Sequence, residues 1–176
     1  MMKQDVLDLA DHLQKQARLL LDQLHYEDLW EAQRMKPVLI GSVRSGLMAE
    51  PNVDYNILAE TEKPNLRACL SVVQALAEAT QTFAGANFFI NSHLTEPNPY
   101  LYIGFGFKYQ EDEWDFDQEI FGCSHPRIQT ASQTTEALLK VMDAETRLRI
   151  LSIKQERLKS RGGSWRGSSM PSSLDI

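Results

Sequence analysis

Val38-Leu39-Ile40-Gly41-Ser42, followed after a spacer by Val53-Asp54-Tyr55-Asn56-Ile57, is the stretch on which the reading of this chain turns. An apolar run ends in Gly-Ser. A second apolar run then carries polar side chains at Asp54 and Asn56. Residues two apart on a strand project to the same face. Asp54 and Asn56 are therefore expected to point together, with Val53, Tyr55 and Ile57 pointing the other way. Glycine lets a backbone approach a ligand closely, and amide N–H groups with a serine hydroxyl bind phosphate oxygens. A Gly-Ser turn facing a carboxylate strand is one way to build a metal–phosphate site.

Working outward, residues 3–33 read as one helix, because Val6, Leu9, Leu13, Leu20 and Leu24 recur at helical spacing among charged residues. Pro37 opens a short strand, Val38 to Ile40, expected to be buried. Gly41 and Gly46 bracket a turn, with a short helix expected near Leu47-Met48. The second strand is Val53 to Ala59. Asn65 is the expected cap of the next helix, whose apolar stripe reads as Leu66, Leu70, Val73, Leu76 and Ala77. Three strands follow, near 87–90, 100–109 and 113–121, the last two joined by a Gln110-Glu111-Asp112 turn. Residues 134–158 return to helix, with Leu138, Val141, Met142, Leu148, Leu151 and Ile153 as core candidates. From residue 159 onward Ser, Gly and Arg dominate, and a flexible tail over 159–176 is expected. The element order predicts a single α+β domain over 1–158, with a mixed sheet of about five strands flanked by helices.

Composition narrows the function classes. A chain of 176 residues is long enough to bury a core unaided. Its net charge of -6 argues against an extended nucleic-acid partner, though not against a nucleotide held through a metal ion. Cys69 and Cys123 stand alone without a Cys-x-x-Cys pair, so neither a disulfide framework nor a zinc site is expected, and a reducing compartment is. No signal-peptide core and no long apolar run is present. A soluble, cytoplasmic protein with no membrane partner is the expectation.

Alternation along Glu113-Trp114-Asp115-Phe116-Asp117-Gln118-Glu119 puts Trp114 and Phe116 on one face with Ile120, and Asp115, Asp117 and Glu119 on the other. Taken alone, that acidic row reads as the solvated face of an edge hairpin. Gly104 and Gly106 leave one face of their strand without side chains, which suits close approach of a backbone, an aromatic ring or a ligand.

Gly41-Ser42, the spacer and Asp54-x-Asn56 together resemble the signature of the nucleotidyltransferase superfamily: Gly-Ser, a spacer of this length, then Asp-x-Asp or Asp-x-Glu within a strand. Gly41-Ser42-Val43-Arg44-Ser45-Gly46-Leu47 also resembles a Gly-Ser-Val-Arg-x-Gly-Leu segment of small bacterial proteins with that fold. The run from Trp114 to Asp117 is similar to their Trp-x-x-Asp. The resemblance covers roughly residues 36–121. It implies a nucleotidyltransferase-like mixed sheet. It further implies metal-dependent transfer of a nucleotidyl group from a nucleoside triphosphate, ATP first, to a hydroxyl on a small molecule or protein. The cofactor it implies is Mg²⁺ or Mn²⁺, since divalent ions compensate the charge of the transferred group and Mg²⁺ takes oxygen ligands.

Residue by residue, the resemblance makes Asp54 and Asp117 the catalytic, metal-ligating carboxylates, with Asp115 the second choice for the later acid. It makes Gly41 and Ser42 triphosphate contacts. Arg44 is either a bidentate phosphate donor or a surface arginine. The chain departs from the pattern at Asn56, which stands where the family has its second carboxylate. An amide oxygen can ligate a cation but brings no charge, so Asn56 reads as a neutral ligand or orienter. That departure keeps open a second reading, a catalytically lapsed module that binds a nucleotide or partner in the same cleft. A third reading, an interaction protein, comes from Leu19-Leu20-Leu21, which is broader than one helix stripe needs and suits a homodimer face.

Overall fold

The computed structural model describes residues 3–80 and 86–160. Five strands form one mixed sheet: β1 (Met35–Leu39), β2 (Asn52–Ala59), β3 (Ala86–His93), β4 (Tyr100–Tyr109) and β5 (Asp112–Phe121), in the order β1-β2-β5-β4-β3. The helices are α1 (Lys3–Gln23), α2 (Tyr26–Glu31), α3 (Gly41–Ser45), α4 (Leu66–Thr80), α5 (Arg127–Val141) and α6 (Ala144–Ser160). Every strand pair is antiparallel except β2 with β5, which run parallel. The α+β class and the mixed five-strand sheet expected from the sequence are what the structure shows.

Alternation gives the sheet two unlike faces. On one, Val53, Tyr55, Ile57, Ile103, Phe105, Phe107, Trp114, Phe116 and Ile120 are each no more than 4% exposed. Apolar residues of α1, α2 and α4, including Leu13, Leu20, Trp30, Cys69, Val72 and Leu76, complete this core. Burial of each such large side chain stabilises by about 1.5–3 kcal/mol, so this face fixes the register. The opposite face is left to Asn52, Asp54 and Asn56 on β2, Asp115, Asp117 and Glu119 on β5, and the glycines of β4. A smaller cluster joins Val6 and Ala10 of α1 to Leu47 and to Leu151 of α6. Among the described residues no helix is long and apolar enough to cross a membrane.

Several boundaries differ from the sequence reading, each for a local reason. The helix expected over 3–33 is two helices. His25 takes a left-handed conformation (φ 47°), its N–H closes a tight turn on Asp22, and the chain swings Tyr26 and Trp30 into the core. The helix expected over 134–158 is also two. Met142 is extended, and Asp143 Oδ1 accepts the Thr146 N–H at 2.7 Å, which starts α6 afresh. Lys159 and Ser160, expected in the tail, end α6, and the rest of that tail lies outside the described residues. Of the core candidates there, Leu151 is fully buried, whereas Val141 is 72% and Ile153 52% exposed.

The short helix lies at Gly41–Ser45 rather than near Leu47-Met48. β1 begins at Met35 and is a half-buried edge strand rather than a buried one, a position where Pro37 is tolerated because an edge can spare an N–H. On α4 the inward stripe is Cys69, Val72, Leu76 and Thr80, and Leu66 and Leu70 face outward. Asn65 caps α4 as expected, accepting the N–H groups of Arg67 and Ala68 at 3.0 and 3.3 Å. Leu20 is fully buried within the chain and Leu21 packs against the same core, which accounts for two of the three leucines by intramolecular contact.

Candidate active site

The parallel pairing of β2 with β5 sets Asn52 opposite Asp115, Asp54 opposite Asp117 and Asn56 opposite Glu119. Two carboxylates from distant parts of the chain thereby meet side by side on the open face. The segment from Ile40 to Ser42 folds over the first of them. The Ile40 N–H bonds the Asp54 carbonyl at 3.0 Å, and the Ser42 N–H donates to the Asp54 carboxylate. Gly41 has φ +63°, and a side-chain carbon there would overlap Asp54 Oδ2. Glycine is required twice over, for the backbone angle and for the space.

The loop after Gly41 is held from α1 and α6. Gln14 Nε2 donates to the Val43 carbonyl at 2.6 Å, and Arg147 Nε to the Gly46 carbonyl at 3.1 Å. Lys154 of α6 donates from Nζ to Ser42 Oγ at 2.7 Å and to the Leu47 carbonyl at 2.8 Å. An ammonium group therefore stands against the serine of the Gly-Ser turn. Its own burial lowers the Lys154 pKa, and Glu50 and Asp54 oppose that shift.

Neutral donors serve the carboxylate pair, and one of them, Asn52, reaches both. Asn52 Nδ2 lies 3.5 Å from Asp54 Oδ1 and 3.4 Å from Asp117 Oδ2. The Tyr102 hydroxyl donates to Asp117 Oδ1, and burial together with that bond raises the tyrosine pKa. Burial and the neighbouring Asp117 push Asp54 up to about 6, against the pull of Lys154 and the Ser42 amide. Asp115 is likewise pushed up to about 6, by burial, Asp117, Glu113 and Glu50. The cluster is short of positive charge.

The oxygens on this face fit a hard divalent cation in type, if not in number. Asn56 is 3% exposed and its Oδ1 has no hydrogen-bond partner among the described residues; Asn52 Oδ1 is likewise unpartnered. Burying an amide oxygen unpaired is costly, and a cation relieves it. Yet no group of three Asp, Glu, His or Cys side chains placed to hold a metal occurs among the described residues. Asp54 and Asp117 are thus the two carboxylates in register on this face, with Asn56 and Asn52 as neutral oxygens beside them.

Not every expected site residue gathers here. Asp115 lies in the neighbouring same-face register pair, opposite Asn52 rather than Asp54. Arg44 turns toward α5, its guanidinium 3.4 Å from both the Leu39 carbonyl and Glu136 Oε1. Glu119 is paired with Arg127 at 3.1 Å. Conversely, Lys154, Asn52 and Tyr102 were not singled out by the sequence. Lys154 is one cation in a charged helix, and Asn52 reads as part of a Pro-Asn turn. Only Tyr102 had a signal, its place two residues before Gly104 and in step with Gly106.

This sheet order, with paired carboxylates beneath a Gly-Ser turn, is a nucleotidyltransferase-like fold. In particular it is similar to the structure of GLD-2 in its complex with RNP-8, with TM-score 0.52 and 11% identity, covering 92% of this chain and 62% of that one. It is also similar to Cid1, whose structure is described for its RNA terminal uridylyl transferase activity, with TM-score 0.50 and 15% identity over 86% of this chain and 44% of that one. The chain spans less than two thirds of the length of either. No family model and no curated protein matches it.

Proposed function

We propose that the chain transfers a nucleotidyl group from a nucleoside triphosphate, ATP first, to a hydroxyl acceptor. The observation that carries this reading is the register pairing of Asp54 with Asp117 beneath Gly41 and Ser42. In this reading the backbone of Gly41 and Ser42, the Ser42 hydroxyl and the Lys154 ammonium take the triphosphate. Lys154 then neutralises charge on the departing pyrophosphate. The acceptor oxygen forms a bond to the α-phosphorus, the α–β anhydride bond breaks, and the acceptor proton passes to a carboxylate or to solvent. A bound Mg²⁺ or Mn²⁺ supplies charge compensation on the phosphate oxygens. Asp54 and Asp117 are its carboxylate ligands, Asn56 a neutral one, and Asp115 and Arg44 stand outside this first ring of contacts. The acceptor is a small molecule or a protein side chain, and the work is that of a protein in the cytoplasm.

A second reading is favoured by Asn56 and by the lack of a three-carboxylate cluster among the described residues. In it the cleft binds a nucleotide without transferring it. Calorimetric titration of ATP with Mg²⁺ or Mn²⁺ into the protein and into Asp54→Ala tests both. Metal-dependent heat that vanishes in the variant supports a working nucleotide site. No heat with any common triphosphate removes both readings.

A further inference from the structure

Beyond Asp117 the open face of the sheet carries the bare backbone of Gly104 and Gly106 and the rings of Tyr102 and Phe89. Gly104 is the register partner of Asp117 on one side and of Phe89 on the other, and Gly106 likewise joins Asp115 to Asn87. Asp54, Asp117, Gly104 and Phe89 therefore form one row across four adjacent strands. Tyr102 reaches across this row. A side-chain carbon placed on Gly104 would lie 3.1 Å from the Tyr102 hydroxyl and 3.4–3.5 Å from its ring carbons, so the ring rests where glycine leaves room. Its hydroxyl ends on Asp117.

Phe89 is 60% exposed, and its ring meets that of Tyr102 edge-on, with centroids 6.1 Å apart and planes at 60°. The core lies on the other side of the sheet, so Phe89 has no part in it. An aromatic side chain held this open, beside a second ring laid on glycine backbone, offers a π-surface one strand spacing of about 4.8 Å from Asp117. The charge around it is acidic. Glu113, Asp115 and Asp117 line the same face, and Lys108 is the one Lys or Arg on β2 to β5. An anionic group is disfavoured there and a cationic one is favoured.

We infer that Phe89 and Tyr102 form a stacking platform for the planar ring of the acceptor, an unphosphorylated aromatic amine that carries the hydroxyl to be modified. With the ring against Tyr102, the hydroxyl overhangs the Asp54–Asp117 pair and the ammonium reaches Asp115. This inference rests on the nucleotidyl-transfer reading of those carboxylates.

Tyramine, titrated into the nucleotide-free protein and followed by proton NMR, is the probe. Its non-aromatic counterpart 2-cyclohexylethylamine is run alongside. The expected result is an upfield shift of the tyramine ring protons and binding on the order of tenfold tighter than for the cyclohexyl amine. Phe89→Ala and Tyr102→Leu each weaken tyramine on the order of tenfold, while Tyr102→Phe, which keeps the ring, retains binding. Circular dichroism shows that the variants are folded. Equal binding of the two amines, absence of tyramine binding at millimolar concentration, or indifference to both ring deletions overturns the platform. An ATP titration of the same sample separates the two failures. ATP bound with no tyramine shift sinks the platform alone. Tyramine bound as expected with no ATP heat sinks the transfer reading and leaves an aromatic-amine site.

Discussion

Asp54 and Asp117 stand in register, with the Asn52 amide reaching both and the Tyr102 hydroxyl donating to Asp117. Like charges so placed cost stability unless a cation or a proton intervenes. Burial first, and the Asp117 charge beside it, lead Asp54 to hold its proton up to about pH 6 in the folded, metal-free protein, against an ordinary value of 3.8. The folded state binds more protons than the unfolded one between those values, so unfolding free energy falls as pH rises from about 4 to about 6 and then levels. The Asp54 contribution is on the order of 2 kcal/mol. Urea denaturation of metal-free protein at pH 4.5 and 7.5 should show that loss together with a share from Asp115, and Asp54→Asn should remove the Asp54 share. At the neighbouring position, Asn56→Asp adds the charge that the superfamily pattern carries. It should lower the melting temperature of metal-free protein, because the side chain is buried, and tighten Mn²⁺ binding on the order of tenfold by calorimetry. These residues also mark the limit of what the pattern Gly-Ser…Asp-x-Asn conveys. It gives the identity of Asp54 and its face, but not that Asp54 would press against the α-carbon of Gly41.

At the scale of the element, the parallel contact of β2 with β5 does most to make the site, and α6 closes it. Lys154 satisfies Ser42 Oγ and the Leu47 carbonyl together. Lys154→Met keeps the length of the side chain but leaves both acceptors without that donor. It should cost about 1–2 kcal/mol by chemical denaturation and weaken ATP binding on the order of tenfold. The cap of α4 is independent of the site. Asn65→Ala should cost about 1 kcal/mol and leave nucleotide binding unchanged. Strand periodicity is legible in the sequence because a period of two survives in short runs, and the expected bounds of β4 and β5 lie within a residue of those observed. Helix breaks are less legible. His25 and Met142 are ordinary residues within periodic runs, and the turn at each is made by where Trp30 and Leu151 must go to be buried.

For the molecule as a whole, a ligand that binds only the folded state stabilises it in proportion to the logarithm of its concentration over its dissociation constant. ATP with Mg²⁺ at about a hundred times that constant should add about 2.7 kcal/mol to the stability, read as a higher melting temperature, and Asp54→Ala should show no such rise. The sequence alone determined the α+β class, the five strands, the Gly-Ser turn and the two faces of the Asp54 and Asp117 strands. Each of these follows from local steric preference or from the alternation of apolar and polar residues, which the chain carries without reference to its partners. Only the tertiary structure decided that Asp54 meets Asp117 and not Asp115, that Arg44 turns to Glu136, and that Lys154, more than a hundred residues away, reaches Ser42. Those pairings depend on strand order, register and helix packing. They are set by burying Val53, Phe116 and their neighbours on the far face of the sheet, so the residues of the site are placed by a core they do not themselves belong to.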